Sequence, residues 1–170
     1  HELGNMKDDL QENYTKQVNR VDKNTQNHTP EIKIYTIRGT SLSPVLNDGD
    51  DIKVDLNYYK ANEIQKYDII IYNFSARDQL LIKYVGVTPG DSFSVKDYKL
   101  YVNNKEFKNI INKSYPLNTQ NEKMLSLYEK SFNGTMPKDT YFIFGIKSGG
   151  VDSGKFGPVN KDNILGKVLS

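Results

Sequence analysis

The spacing of apolar positions changes twice along the chain, and the changes mark its parts. Residues 1–30 are polar, rich in Asn, Lys, Asp and Gln, with one narrow stripe: Leu10, Tyr14, Val18 and Val21, spaced four, four and three. That is helical spacing. It predicts a solvated stalk, or a helix that packs on the following domain or lies along a groove in it. Thr29-Pro30 ends any such helix, because the residue before proline is pushed out of the α region.

From Glu31 the period becomes two. Ile32, Ile34 and Thr36 alternate with Lys33, Tyr35 and Ile37, with the β-branched content of a strand. A polar turn, Asn47-Asp48-Gly49-Asp50, leads into a second strand, with Ile52, Val54 and Leu56 alternating with Lys53 and Asp55. Residues 57–66 are polar and irregular. Tyr67–Tyr72 is almost continuously apolar, as is Leu80–Val87 apart from Lys83, and such runs predict strands covered on both faces. Residues 99–107 read as a hairpin turning at Asn103-Asn104, a pair that tolerates the positive φ of a two-residue turn.

Residues 108–136 are Asn-rich and weakly periodic, with Met124–Tyr128 readable as a short helix or strand. Tyr141–Gly145 is an aromatic strand, residues 146–158 are rich in glycine and proline around Asp152-Ser153, and residues 163–169 form a last strand. Many short strands between turn signals predict a mainly β protein. The expected organisation is a stalk or helix over 1–30, a core built from 31–91 and 137–170, and an inserted β subdomain or flap over 92–136.

Composition narrows the chemistry. A chain of 170 residues is the size of one domain with room for a small subdomain. Net charge is +2 with the signs intermixed, which argues against a nucleic-acid partner, where a clustered basic face is expected. There is no cysteine, hence no disulfide and no thiolate nucleophile or metal site. The two histidines, His1 and His28, both lie in the polar N-terminal stretch, which argues against a Ser-His-Asp triad and a histidine zinc site. No metal or cofactor is expected. If the chain is a hydrolase, its base is Lys, Asp, Glu or Tyr. No run reaches the roughly 20 apolar residues of a membrane span.

Within these limits a serine and a lysine stand out. Ser41 sits in Gly39-Thr40-Ser41-Leu42-Ser43-Pro44, at the end of one strand and ahead of the turn into the next. Taken alone, such a stretch is most often a surface turn. Lys83 is a charge inside an apolar strand; either it is an edge lysine whose stem covers apolar surface, or burial holds it neutral. Serine needs a base to act as nucleophile. Lysine serves as one only when its pKa falls from about 10.4 towards 7–8. A drop of roughly three units disfavours the ammonium by about 4 kcal/mol, an amount that burial supplies. The oxyanion of an acyl transfer would take the Ser41 backbone N–H, exposed by the Gly39-Thr40 turn.

These residues resemble a type I signal peptidase of the Gram-positive, membrane-tethered kind. Gly39–Leu46 followed by Gly49-Asp50 is similar to that family's nucleophile box, and Tyr67–Ile70 to its next strand. Ile82-Lys83-Tyr84-Val85 with Pro89-Gly90-Asp91 is similar to its lysine box, and Leu100–Asn103 to its hairpin. Pro137–Phe142 through Gly145, Asp152-Ser153, Gly157 and Ile164–Lys167 resemble its C-terminal box. The likeness is collinear over about residues 32–169. It implies a signal-peptidase β-sheet core, with Ser41 as nucleophile and Lys83 as base. Ile37, Leu42, Leu46, Ile52 and Ile82 would line pockets for the small residues at −1 and −3 of a signal peptide bound as an added strand. It also implies one upstream membrane helix and a catalytic domain on the extracytoplasmic face of the cell membrane.

The chain departs from the family pattern in places. Leu42 stands for the Met after the nucleophile, Tyr84 for the Arg after the lysine, and Gly154 for the Arg after Asp152-Ser153. The serine that orients the lysine in the family falls on Gly150, and Ser148 is the nearest hydroxyl able to replace it. A member specialised for one client class, such as pilins, is one implication. The alternatives are a signal-peptidase-like assembly factor that binds pilus proteins without cutting, and a self-cleaving Ser/Lys protein of the LexA type. The latter lacks a DNA-binding segment here.

Overall fold

The structure, a computed structural model, describes residues 28–170; the Leu10–Val21 stripe and most of the expected stalk lie outside the described residues. The stretches with a period of two become strands: β1 (Ile32–Thr36), β2 (Asp51–Asp55), β3 (Ile69–Phe74), β4 (Gln79–Val87), β5 (Phe93–Lys96), β6 (Lys99–Val102), β7 (Lys105–Glu106), β8 (Thr140–Phe144), β9 (Val159–Asn160) and β10 (Ile164–Val168). Seven of them pair in the order β1-β2-β10-β3-β4-β8-β9, and β5-β6-β7 form a second sheet. Every pairing is antiparallel, so the protein is mainly β with one large sheet.

The continuous apolar run of β3 is explained by its central place. Ile69 and Ile71 belong to one core cluster and Ile70 and Tyr72 to the other, so both faces are covered. β4 lies beside it, with Lys83 opposite Ile70 and Tyr84 opposite Ile69. Lys83 is therefore on an interior strand, and it is 4% exposed, which excludes the edge-lysine reading. At the end of the sheet, β1 leaves Ile32 and Ile34 exposed.

Residues 92–136 combine the small sheet with a 13-residue helix and so are mixed rather than purely β. Three short helices or helical turns matter here: α1 (Tyr58–Ala61), α2 (Thr119–Ser131) and α3 (Ser153–Phe156). Asn118 caps α2, accepting from Asn121 N–H while the Asn121 side chain accepts from Asn118 N–H. The predicted β6–β7 turn has φ of 51° at Asn103 and 67° at Asn104. Where the chain leaves and re-enters the large sheet, the two passes are tied: Gly90 N–H donates to Met136 C=O, and Met136 N–H to Asp91 C=O, both at 2.9 Å. Phe93, Leu100, Phe107, Ile110, Ile111, Tyr115, Leu117 and Leu125 share one core cluster with Ile71, Tyr84, Phe142 and Phe144.

Candidate active site

The turn that carries Ser41 is shaped from both sides. Gly39 has φ of +90° and Gly49 +88°, values that favour glycine. Asp48 Oδ1 accepts the Gly39 N–H at 2.7 Å, and Ile37 exchanges backbone bonds with Asp50 and Gly49. The Gly39 N–H is thus already used by Asp48 and is not free to meet an oxyanion. The Ser41 N–H finds no acceptor among the described residues, whereas its C=O accepts from Ile146 N–H at 2.7 Å. Leu42, directly after it, is buried and starts a helical turn with Val45 and Leu46 donating back to its C=O. The serine is therefore fixed by its own carbonyl and by its neighbour, while its side chain remains partly exposed.

Lys83 reaches this turn from the interior of the large sheet. Its meeting point with Ser41 is Gly145, at the end of β8. A methyl group placed on Gly145 would lie 3.1 Å from Ser41 O, 3.3 Å from Ser41 Cβ and 3.5 Å from Lys83 Nζ. Serine and amine thus flank a single point that only a glycine leaves empty. No hydrogen bond joins Ser41 Oγ to Lys83 Nζ. Burial pulls the Lys83 pKa below the ordinary lysine value, against an opposing pull from the Asp152 charge.

Asp152 is wholly buried. Its Oδ2 accepts from the Tyr115 O–H and from Gly145 N–H at 3.1 Å, and its Oδ1 accepts from Gly154 N–H at 2.8 Å as the N-cap of α3. Burial raises its pKa, while Tyr115, the backbone donors and Lys83 oppose the rise. Burial likewise pushes the Tyr115 hydroxyl far above the usual phenol range. Ser153, also buried, accepts from Ile143 N–H at 2.8 Å and so ties the loop to β8. Ser148, by contrast, is exposed.

A cleft of about 390 Å³ runs past these groups. Ile37, Leu42 and Ile82 line it beside Ser41 and Lys83, with Tyr35, Ile71 and Val151. Leu46 and Ile52 are not in its wall and belong to the core behind it. Sequence reading missed Tyr115, and it gave Gly145 no role at the site. Asn109 was missed as well: its side chain donates to Ile146 C=O at 3.3 Å. So was Asn121, which donates to Gly154 C=O at 2.8 Å. All four gain their roles through contacts far along the chain, which no local motif encodes. Among the described residues no group of His, Cys, Asp and Glu is arranged to hold a metal.

The chain belongs to the signal peptidase family, peptidase S26, whose family model matches residues 28–170. Signal peptidase IB of Staphylococcus aureus (strain Mu50) is 32% identical over 143 residues, covering 79% of this chain and 74% of that protein. Signal peptidase I V of Bacillus subtilis (strain 168) is 27% identical over 140 residues, covering 79% of this chain and 82% of that one. A solved signal peptidase I from Enterococcus faecalis V583 superposes with a TM-score of 0.47 at 24% identity, over 64% of this chain and 98% of the other.

Proposed function

We propose that the protein is an endopeptidase with a Ser41/Lys83 dyad that removes signal peptides from exported precursors. The observation that carries this reading is the buried Lys83 amine brought to the same point as Ser41 across Gly145. An extended peptide lies in the cleft as an added strand, with small side chains against Ile37, Leu42 and Ile82. Neutral Lys83 takes the Ser41 hydroxyl proton as Oγ attacks the scissile carbonyl. The hydrogen bond between them forms as substrate closes the cleft, since such bonds are often long in free enzymes. The oxyanion takes the free Ser41 N–H. The Lys83 ammonium then protonates the leaving amine, giving an acyl-serine ester. Lys83 next takes a proton from a water that attacks this ester, and returns it to Ser41 Oγ as the acyl bond breaks, which frees the cleaved peptide's acid and restores both groups.

The names of the relatives support the substrate class, and a signal-peptide substrate supports a site of action at the extracytoplasmic face of the cell membrane. Among the described residues no helix is long and apolar enough to cross a membrane. The loop at 147–150, exposed and lacking the family's serine at Gly150, supports a specialised client such as a pilin.

The test is cleavage of purified precursors, pilin and non-pilin side by side, in lipid or detergent. Cleavage at the signal-peptide junction by the parent, lost by a factor of at least about 10³ in Ser41→Ala and Lys83→Ala, is the expected result. A parent that binds precursors without cutting them would replace this reading with that of a non-catalytic assembly factor.

A further inference from the structure

Among the described residues the carboxylate whose charge acts on Lys83 is Asp152, and the charge that carboxylate presents is set by its donors. Two of these are backbone N–H groups that any sequence supplies. The third is a side chain, the Tyr115 hydroxyl, reaching in from the return segment of the 92–136 excursion. The Tyr115 ring is buried among aromatic neighbours. It stands edge-on to Phe107 at 5.9 Å between centroids and against Phe144 at 5.0 Å. Phe144 precedes Gly145, which donates to the same Asp152 oxygen and lies against both Lys83 and Ser41. Contacts therefore run from the Tyr115 O–H to Asp152 Oδ2, from that oxygen to the Gly145 N–H, and from Gly145 to its neighbour Lys83. The other titratable groups that meet this cluster are Tyr84 on β4 and, through it, Tyr67, both with raised phenol pKa values and so neutral near pH 7. Arg38 lines the outer cleft.

Resting on the dyad reading above, we propose that Tyr115 is a positioning residue for Lys83. Its O–H holds part of the Asp152 charge away from the amine, and so keeps Lys83 available as a base near neutral pH. The direction follows from charge. A hydrogen bond to a buried carboxylate spreads and satisfies its negative charge. Without that donor Asp152 Oδ2 keeps only the Gly145 N–H, and more of its charge acts on the Lys83 ammonium. The ammonium is then stabilised and the base is lost at neutral pH. Asp152→Asn works the other way, removing the charge that favours the ammonium.

The experiment reads Lys83 directly. Competitive acetylation of the full chain across a pH series, followed by mass spectrometry of the Lys83 peptide, gives its ionisation midpoint without catalysis. A pH profile of kcat/KM on a cleaved precursor peptide is recorded in parallel. Tyr115→Phe should move both the labelling midpoint and the acid limb up by about half to one pH unit, cutting the neutral-pH rate several-fold and restoring it in alkali. Asp152→Asn should move both down, and in that background Tyr115→Phe should move neither. Incorporation of 3-fluorotyrosine at position 115, a stronger donor of nearly equal size, should move the midpoint down and covers the case in which Tyr115→Phe does not fold. An unchanged or downward midpoint in Tyr115→Phe, or an unchanged one with fluorotyrosine, overturns the proposal. If Lys83→Ala still cleaves, the dyad reading fails, and the labelling midpoints still report whether Tyr115 acts on Lys83.

Discussion

Gly145 is the residue on which the geometry of the site turns. An added methyl would meet Ser41 O at 3.1 Å and Ser41 Cβ at 3.3 Å, close enough to displace the serine by a few tenths of an ångström, and would fill the space beside Lys83 Nζ at 3.5 Å. Displacements of that order between reacting groups are costly in rate, and a misplacement of about 1 Å can lose on the order of 10²-fold. Gly145→Ala is therefore expected to lower kcat at least about ten-fold while leaving the melting temperature within a few degrees, as read by peptide cleavage and thermal melting. A loss confined to stability would mean that the Gly145 gap is not part of the machinery. Ser41 and Lys83 were legible in the sequence because each announces itself locally, one by its glycine and proline frame and the other by its apolar strand. Gly145 and Tyr115 were not, because a glycine at a strand end and a tyrosine in an Asn-rich stretch look like any others until the chain folds. Ser148, the hydroxyl two residues from Gly150, is exposed, while the Tyr115 hydroxyl, 37 residues from Asp152, donates to that carboxylate.

At the scale of elements, two pairings hold the site. The first is β4 against β8, which meets at Gly86 and Phe144. A methyl on Gly86 would lie 2.5 Å from Phe144 Cδ2 and 3.0 Å from Phe107 Cε1. Overpacking of this kind costs about 1–3 kcal/mol. Since 1 kcal/mol is worth roughly 2–4 °C in a domain of this size, Gly86→Ala should melt roughly 5 °C lower. Phe144→Leu in the same chain should recover part of the loss if the clash is the cause. The second pairing is the loop at 145–154 against the return segment, where Asn109, Tyr115 and Asn121 hold Ile146, Asp152 and Gly154 in turn. Asn121 can reach Gly154 because it lies in the first turn of α2, set by the Asn118 cap. Asn118→Ala is expected to cost about 1 kcal/mol and to weaken activity more than a distant surface change of equal cost. The strands were readable from their period. α2 was not, because only Asn121 and Leu125 of its thirteen residues are buried, too few to draw a helical stripe.

For the whole molecule, the question is whether residues 92–136 form a separate unit. Their sequence suggests one, since they are polar overall and lack a period. The reason is that many of their core residues come from irregular backbone. Phe107, Ile110, Ile111, Tyr115, Leu117 and Met136 lie outside any long element, yet are 2–5% exposed. They pack in the same cluster as Ile71, Tyr84 and Phe144 of the large sheet. A two-part protein would need an interface of its own between two cores, and here one cluster serves both. Two consequences follow for experiment. Calorimetry should show one unfolding transition with calorimetric and van't Hoff enthalpies in agreement, as expected for one cooperative domain of this size. Replacing residues 92–136 by a short linker should leave an aggregated or molten chain rather than a smaller folded enzyme, because it strips one side of the core from Tyr84, Phe142 and Phe144. Two resolved transitions, or a deletion that melts sharply and still cleaves, would show that the excursion is an independent module. The single-core account further requires that Tyr115→Phe and Gly86→Ala, both against the Phe144 ring, combine non-additively in the melting temperature.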